Sequence, residues 1–317
     1  MKAFALAGFD SAAEVRNVPV PEVGPGEVRV RVRAASINGF DAFVASGMAK
    51  GMMEHRFPVI VGKDFAGVVD AVGSGVTRFA PGDEVVGITP SEEVLGRGTF
   101  AEYVVVPAEG DLQRKPASLD FERGAALGLA ALAALVSVDV TEPSEGDVVL
   151  VVGATGGVGS YAVQLASRRG ATVIATGLPE DEASLRALGA SETVDFTKDV
   201  VAAVRERYPD GVDALMDLVN RDGESLAAIA ELVKEGGRIA TTMGAADVDA
   251  FGSRGVTATN VYAQADPEGF GRIVQSAERG DLTVPVSQTF PLDEAGRGLE
   301  LFQTGHTRGK YVVRPQG

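Results

Sequence analysis

Residues 148–159 have the sequence VVLVVGATGGVG. The apolar run predicts a buried strand, the glycines predict a tight turn, and residues 161–166 predict a helix. A strand, a glycine-rich turn and a helix in this order are typical of a site for a dinucleotide pyrophosphate, because backbone N–H groups and the helix dipole face the anion. Ala154 stands at the first glycine position of the G-x-G-x-x-G pattern, with Gly156 and Gly159 at the second and third. The stretch predicts a nicotinamide-dinucleotide site; the alternative is a tight turn in another α/β domain.

The region around this stretch alternates between strands and helices. We predict strands at 148–152, 171–176, 192–195, 212–218, 237–242 and 256–262, helices at 157–169, 180–188, 199–207 and 224–234, and one long helix over 121–138. Six strands with helical crossovers predict a doubly wound parallel sheet and therefore the α/β class.

The first 118 residues have a different pattern. Short strands, punctuated by glycine and proline, are predicted at 27–34, at 67–73, in the second part of 79–87 after a turn, and at 100–107. They indicate a small β-barrel. After residue 265, helices at 267–279 and 293–303 are predicted to alternate with strands at 284–290 and 310–313. We therefore predict a first domain at 1–118, a dinucleotide-binding domain at 119–265, and a return segment at 266–317 that completes the first domain.

Composition excludes several classes of function. The 317-residue chain has no cysteine, two histidines and a formal net charge of −15. Disulfides, thiol catalysis and cysteine-based metal sites are excluded, and an acidic surface repels nucleic acid and anionic membranes. No signal-peptide pattern is visible at the N-terminus, and the longest apolar run, 127–136, is too short to span a bilayer. A cytoplasmic protein is expected.

Motifs along the whole chain support a family resemblance. They are the opening MKA, ASINGFD at 35–41, GKDFAG at 62–67, FAPGDEV at 79–85, GTFAEY at 98–103, the turn at 153–159, LGA at 188–190, GGR at 236–238 and RGK at 308–310. With these motifs the chain closely resembles the zinc-independent quinone oxidoreductases of the medium-chain dehydrogenase/reductase superfamily. The resemblance implies a GroES-like β-rich catalytic domain, a Rossmann domain with a six-stranded sheet, and a homodimer joined through the last Rossmann strand, near residues 255–261.

The resemblance also bears on zinc. Where zinc-dependent relatives carry a cysteine and a Gly-His-Glu turn, this chain has Asn38 and Lys63–Asp64. An amide and an ammonium are poor zinc ligands, so no metal is expected.

Three residues are candidates for the catalytic chemistry. Asn38 is predicted to donate a hydrogen bond near the substrate; the alternative is an asparagine that serves the turn before Gly39. Lys63 is either an electrostatic partner of the substrate or, as we favour, one half of an ion pair with Asp64 or Asp41. Tyr103 offers a phenol, although a strand tyrosine more often packs. Asp41 is either a general acid or, as we favour, a structural residue that caps a helix starting at Ala42.

The candidate cofactor residues lie in the glycine-rich turn and at the ends of the later strands. They are Gly153, Ala154, Thr155, Gly156, Gly157, Val158, Gly159, Thr176, Gly177, Arg186, Leu218, Thr241, Met243, Gly244, Asn260 and Lys310. NADPH is favoured, because NAD-preferring relatives have an aspartate where Gly177 stands. NADH stays open, because residues 180–182 are all acidic and Arg186 is the nearby cation.

These features predict an NADPH-dependent, zinc-free oxidoreductase that reduces quinones or activated α,β-unsaturated carbonyls by direct hydride transfer. Two departures from the family, Ala130 in place of a threonine and the run AFVASGM at 42–48, remove hydrogen-bonding groups and indicate a more apolar pocket. Met48, Met52 and Met53 either line that pocket or pack a loop. An enoyl-thioester or enone reductase is the alternative enzyme, and an NADPH-binding sensor or structural protein with little turnover is the alternative of another class.

Overall fold

The computed structural model describes residues 1–90, 94–262 and 264–316. The chain divides into two compact units, one made of Met1–Leu132 with Gln264–Gly317 and the other of Ala133–Ala263.

The elements are numbered in chain order. The strands are β1 (Lys2–Leu6), β2 (Glu14–Asn17), β3 (Glu27–Ser36), β4 (Glu54–His55), β5 (Val59–Ile60), β6 (Asp64–Val72), β7 (Glu84–Ile88), β8 (Val94–Leu95), β9 (Tyr103–Pro107), β10 (Leu112–Arg114), β11 (Val148–Val152), β12 (Thr172–Gly177), β13 (Glu192–Asp195), β14 (Val212–Asp217), β15 (Val233–Thr241), β16 (Thr257–Asn260), β17 (Val286–Pro291) and β18 (Lys310–Arg314). The α-helices are α1 (Gly39–Ala45), α2 (Phe121–Ala126), α3 (Gly128–Thr141), α4 (Gly157–Arg168), α5 (Glu182–Ala187), α6 (Val200–Arg207), α7 (Gly223–Ala230), α8 (Val248–Gly252), α9 (Pro267–Glu278) and α10 (Ala295–Thr304).

The first unit is built around β3. Its valines at 28, 30 and 32 are buried and alternate with arginines that face outward, as period-two patterning requires. β3 pairs antiparallel with β6, β9 and β18, so the strand near the C-terminus lies beside a strand of the first 118 residues. Phe65, Phe100 and Phe290 lie in the core that this sheet covers.

The second unit is a parallel six-stranded sheet with the strand order β13-β12-β11-β14-β15-β16. In chain order this is 3-2-1-4-5-6, and helices connect the strands, as expected for a doubly wound fold. The central strand β11 is buried along almost its whole length, which explains its uninterrupted apolar sequence. The predicted α/β fold, with a parallel six-stranded sheet, is confirmed.

The predicted single helix over 121–138 is wrong, because the structure has two helices that separate at Leu127. The backbone N–H of Leu129 donates to the Asp64 carboxylate at 2.8 Å instead of continuing a helix from α2. A Cβ at Gly128 would lie 2.3 Å from the same carboxylate, so glycine permits the close approach. Composition alone could not predict this break, since it is made by a residue 65 positions away.

Other predicted boundaries need smaller corrections. The helix expected at 224–234 ends at Ala230, because Val233 pairs with Val212 as the first residue of β15. The strand expected at 100–107 starts at Tyr103. Within the described residues, no helix is long and apolar enough to cross a membrane.

Candidate functional site

The glycine-rich turn connects β11 to α4 in the second unit. Gly153 has a φ of +81°, a conformation that favours glycine, and Gly156 is the N-cap of α4 without a side-chain cap. A Cβ at Gly159 would lie 2.1 Å from the Gly153 carbonyl oxygen, so the first turn of the helix packs directly on the loop. Ala154 is buried, whereas Thr155, Gly157 and Val158 are half-buried. The helix start therefore offers backbone N–H groups to an anion.

This turn lies at the point where the strand order reverses. β11 has β12 on one side and β14 on the other, and the chain runs from β11 outward in both directions. The loop after β14 comes close to the turn, because a Cβ at Gly153 would lie 2.5 Å from Val219 Cγ1. Leu218 is half-buried, and its N–H donates to the Val152 carbonyl at 3.1 Å. Ligands of open parallel sheets bind at such a reversal.

The end of β12 is more crowded than the sequence indicated. Thr176 Oγ1 accepts the Gly153 N–H at 3.0 Å, so this hydroxyl holds the turn in place. A Cβ at Gly177 would lie 2.7 Å from Leu185 Cδ1 and 3.2 Å from Asp181 Cβ. Packing under α5 therefore already explains why residue 177 is glycine, and the missing aspartate is weaker evidence for NADPH than the sequence suggested.

The Arg186 guanidinium is bonded to two neighbouring groups of the protein. Its Nε donates to Glu182 Oε1 at 2.8 Å, and its Nη1 donates to the Ser191 carbonyl at 2.7 Å. The guanidinium is therefore held between α5 and the start of β13, and the structure offers no support for the prediction that it binds a cofactor phosphate.

The later candidates lie along one edge of the sheet. Val152, Asp217, Thr241 and Asn260 are in register across β11, β14, β15 and β16, so the carboxyl ends of these strands meet there. Thr241 Oγ1 accepts the N–H of Met243, which is half-buried, and the next residue, Gly244, is exposed with a φ of +72°.

Asn260 fixes the loop after β15. Its amide accepts the Ala246 N–H at 3.1 Å and donates to the Ala246 carbonyl at 3.0 Å. Asp217, which the sequence did not single out, is fully buried and accepts the N–H groups of Val219 and Asn220. Both side chains shape the loops at the sheet edge. The signal available in the sequence was an aspartate directly after the apolar run 214–216, at the end of a predicted strand.

A buried polar cluster lies in the first unit. Asn38 Nδ2 donates to Asp64 Oδ2 at 2.8 Å, and Asn38 Oδ1 accepts Lys310 Nζ at 2.5 Å. Lys310 Nζ also donates to the Ile37 carbonyl at 2.8 Å and lies 3.9 Å from Asp64 Oδ2. Ser36 Oγ donates to the same carboxylate oxygen at 2.6 Å. This buried polar cluster, Ser36, Asn38, Asp64 and Lys310, ties β3, β6 and β18 together.

Two expectations change as a result. Lys310 was predicted to bind the cofactor, but its side chain is only 3% exposed and its ammonium is surrounded by the cluster. Burial lowers the pKa of Lys310, and the nearby Asp64 and Asp41 partly oppose this shift. The Asn38 amide was predicted to donate to substrate, but both ends of it already have partners within the cluster.

Asp41 lies beside this cluster in α1. The helix begins at Gly39 with Asn38 as its N-cap, so it does not start at Ala42 as predicted. Asp41 is its third residue and still caps the helix, as one half of a capping box. Asp41 Oδ2 accepts the Asn38 N–H at 2.7 Å. Burial, reinforced by the negative charge of Asp64, raises the pKa of Asp41 to about 7, although Lys310 and Lys63 oppose the shift.

Among the contacts of the described residues, no close ion pair of Lys63 with Asp64 or Asp41 is found, although the charge of Lys63 acts on Asp41. Lys63 Nζ donates to the Pro90 carbonyl at 2.6 Å and lies 5.7 Å from the centroid of the Phe40 ring. The cation next to Asp64 is Lys310. Sequence proximity favoured Lys63, whereas β18 brings Lys310 from the other end of the chain.

Tyr103 is separated from this chemistry. Its ring packs under Arg29 and Arg31, at 5.8 and 5.7 Å from the guanidinium carbons. Those arginines alternate with buried valines along β3, so the tyrosine lies on the outward face of the sheet. The structure places Tyr103 in a packing position, the alternative that the sequence favoured.

One cavity of about 100 Å³ opens beside α1 in the first unit. We call it the α1 cavity; its wall consists of Phe40, Asp41, Val44, Met53, Val59, Ile60, Val61, Gly62, Lys63, Thr89, Pro90, Leu95, Arg97 and Val105. Of the three methionines considered from the sequence, Met53 lines this cavity, while Met48 and Met52 are largely exposed. The wall is mainly apolar, with polar groups at Asp41, Lys63, Thr89 and Arg97.

A metal site is not apparent in the part of the chain that the structure describes, where no three His, Cys, Asp or Glu side chains are grouped to hold an ion. The positions that correspond to zinc ligands in relatives carry Asn38, whose oxygen accepts an ammonium, and Lys63, which is itself an ammonium. Neither group is free to serve as a ligand.

Comparison with known proteins gives two family matches. Residues 24–117 match the family described as "Alcohol dehydrogenase GroES-like domain", and residues 188–313 match the family described as "Zinc-binding dehydrogenase". The chain is 34% identical to a quinone oxidoreductase of Pseudomonas aeruginosa, over 98% of each chain. It is 32% identical to the chloroplastic NADPH-dependent alkenal/one oxidoreductase of Arabidopsis thaliana, over 97% of this chain and 77% of the relative.

Solved structures are equally similar. The quinone oxidoreductase from Coxiella burnetii superposes with a TM-score of 0.89 at 30% identity, over 99% of both chains. A crystal structure described as an NAD-dependent alcohol dehydrogenase superposes with a TM-score of 0.88 at 34% identity, also over 99% of both chains.

Proposed function

We propose that this chain, which belongs to the quinone oxidoreductase family of the medium-chain dehydrogenase/reductase superfamily, is an NADPH-dependent, zinc-free oxidoreductase. It reduces quinones or α,β-unsaturated carbonyl compounds by direct hydride transfer. The observation that carries the proposal is the uncapped start of α4 behind Gly153, at the reversal of strand order in the parallel sheet.

The residues of the second unit fit a dinucleotide. Gly156 leaves the N–H groups of the first helical turn without a side-chain cap, and the glycines at 153 and 159 let the turn pack closely against the helix start and the loop after β14. Thr176 holds the turn itself through the Gly153 N–H, and Asp217 holds the neighbouring loop after β14. When bound, the nicotinamide cofactor supplies the hydride. The chain's own part is to bind and orient it and to position the acceptor.

NADPH is preferred because a relative of 32% identity is named as NADPH-dependent. Two observations keep NADH as the alternative. Glu180 and Glu182 are exposed at the end of β12, where they would repel a 2′-phosphate, and Arg186 is already bonded to Glu182. A structure of 34% identity is also described as NAD-dependent.

The acceptor is proposed to bind in the α1 cavity. Its apolar wall suits the ring of a quinone or the carbon chain of an enone, and its polar groups can contact the carbonyl oxygen. Lys63 contributes positive charge beside the cavity, and the buried polar cluster around Asn38 positions α1. An enoyl-thioester would need basic residues at a cavity mouth; Lys50, one candidate, lies 5.0 Å from the centroid of the Phe9 ring.

Three further parts of the proposal rest on the sequence or on local geometry. Zinc independence rests on Asn38 and Lys63, which lack the chemistry of zinc ligands. A homodimer is proposed through β16, which pairs only with β15 among the described strands and so lies at the sheet edge. A cytoplasmic location is proposed from the composition, since a chain without cysteine suits a reducing compartment.

The test follows loss of nicotinamide absorbance with NADPH and with NADH, against a benzoquinone, a naphthoquinone, an alkenal and a short enoyl-CoA. Turnover of a quinone or the alkenal with NADPH is expected. Turnover with NADH alone would reassign the cofactor. NADPH binding without turnover of any acceptor would replace the enzyme proposal with a cofactor-binding protein.

A further inference from the structure

The α1 cavity has two buried polar atoms that lack a partner. Asp41 Oδ1 and Thr89 Oγ1 have no hydrogen-bond partner among the described residues, and the exposed fractions of their side chains are 1% and 5%. Both residues contribute to the cavity wall. An unpaired buried polar group costs about 1–3 kcal/mol, so two such atoms in one cavity wall are normally satisfied by bound water or by a ligand.

The other polar atoms of these two residues are bonded. Asp41 Oδ2 accepts the Asn38 N–H, and the Thr89 N–H donates to the Lys63 carbonyl at 2.8 Å. The local structure therefore fixes both residues in the cavity wall and leaves Oδ1 and the hydroxyl without a partner in the protein. Because Asp41 Oδ2 is already an acceptor, a proton on this carboxyl resides on Oδ1.

We propose, on the basis of the function proposed above, that Asp41 is the proton donor of the reaction and that Thr89 is a second hydrogen-bond donor to the acceptor's carbonyl oxygen. The acceptor is then a compound whose reduction generates a basic oxygen, such as an enolate or a hydroquinone anion. This gives Asp41, for which the sequence favoured a structural role over that of a general acid, a direct contact with the reacting atoms.

Charges around Asp41 suit this role. Asp64 on β6 disfavours a second buried negative charge, so it favours the neutral acid before the reaction. Lys310 on β18 and Lys63 after β5 are the cations that act on Asp41, and they stabilise the carboxylate once the proton has left. The combined effect keeps the pKa of Asp41 at about 7, close to neutral pH, where a general acid is most effective.

The proton balance is complete. For an enone, the C–H bond that holds the hydride on a bound cofactor would break as a C–H bond forms on the β-carbon, and two electrons move through the conjugated system to the carbonyl oxygen. The O–H bond of Asp41 breaks while an O–H bond forms on that oxygen, which gives an enol, and a proton from solvent then returns to the carboxylate. The enol becomes the ketone when its O–H proton is lost to water and its α-carbon takes a proton from water. No metal or further reductant is needed.

The experiment compares wild type with Asp41→Asn, whose amide has nearly the same shape and can donate a hydrogen bond but cannot transfer a proton. With an alkenone, kcat of Asp41→Asn is expected to fall about 10²-fold while KM changes little. Wild-type kcat is expected to fall as pH rises through about 7, the pKa of Asp41, whereas Asp41→Asn loses this dependence. With an acceptor that has strongly electron-withdrawing substituents, the reduced oxygen is weakly basic and needs no proton donor. For such an acceptor, kcat of Asp41→Asn should fall much less.

Asp111→Asn is the matched control. Asp111 is another buried carboxyl of the first unit; burial raises its pKa to about 6, and it accepts the Asp266 N–H away from the cavity wall. This variant should keep the wild-type pH profile and acceptor dependence. If Asp111→Asn and Asp41→Asn behave alike, the proton-donor role is wrong.

A second measurement needs no turnover. The infrared spectrum of wild type minus Asp41→Asn should contain the C=O stretch of a protonated carboxyl at pH 6, and this band should disappear with a midpoint of about 7. Thr89→Val should raise KM several-fold and leave the band in place. Wild-type turnover together with a missing band, or with a fully active Asp41→Asn at every pH, overturns the inference alone. Absence of wild-type turnover overturns it together with the proposed function.

Discussion

Lys310 provides the sharpest stability prediction, because its ammonium is enclosed within the first unit. Substitution Lys310→Met keeps most of the aliphatic chain and removes the hydrogen bonds to Asn38 Oδ1 and the Ile37 carbonyl, together with the charge 3.9 Å from Asp64. Removing one partner of a buried charge pair typically costs about 3–5 kcal/mol. Asp64 still accepts from Ser36, Asn38 and Leu129, so we expect the lower end, about 3 kcal/mol.

The assay is hydrogen exchange at increasing urea concentrations, read by mass spectrometry, because the protection of individual peptides reports the stability of each unit separately. Peptides from α1, β3 and β18 should lose about 3 kcal/mol of protection in Lys310→Met. Lys234→Met is the control, because its ion pair with Asp213 at 2.9 Å is about one-third exposed and should contribute less than about 1 kcal/mol. The double variant Lys310→Met/Asp64→Asn should be less destabilised than the sum of its parts.

A loss below about 1 kcal/mol in Lys310→Met would refute the reasoning, since it would mean that the cluster does not depend on its cation. Equal losses in Lys310→Met and Lys234→Met would have the same meaning, because burial would then not distinguish the two lysines.

Three further predictions concern the cofactor and pH. Gly159→Ala should abolish dinucleotide binding in calorimetry, since its Cβ would lie 2.1 Å from a backbone oxygen, whereas Gly252→Ala, in open space on α8, should bind normally. Arg186→Ala should change the Kd for NADPH less than twofold, because the side chain is bonded to Glu182. A tenfold increase in Kd would show that Arg186 does bind the cofactor phosphate. The native state keeps the Asp41 proton that the unfolded chain has lost above its ordinary value of 3.8, so stability from this group falls as pH rises from about 4 through about 7. The free energy of unfolding of wild type relative to Asp41→Asn should therefore decrease across that window in urea titrations, and a constant difference would contradict the raised pKa.

The second unit was largely predictable from the sequence, and the reason is local. The strands β11 and β13 start and end at the predicted residues. For β11 the reason is that a buried parallel strand needs an unbroken apolar run, and glycines mark the turn that follows it. The position of Gly153–Gly159 at the reversal of strand order then follows from topology.

The first unit was less predictable, because its buried polar cluster is assembled by contacts that are distant in sequence. Lys310 and Asn38 are 272 positions apart, so the pairing of Asp64 with Lys63 was the natural but incorrect expectation. Asp64 also divides the predicted helix over 121–138 into two, because it accepts the N–H of Leu129, a residue 65 positions away. The unpartnered oxygens of Asp41 and Thr89 become visible only once the neighbours are in place.

Transfer of deuterium from NADPH labelled at the reactive nicotinamide carbon to an alkenone tests the central claim most directly. With wild-type protein, mass spectrometry should find one deuterium on the β-carbon of the reduced product when the transferred hydrogen is the labelled one, and none when the opposite face carries the label. Reduced product without deuterium from either labelled cofactor, or no product while NADPH is bound, would contradict direct hydride transfer by this protein.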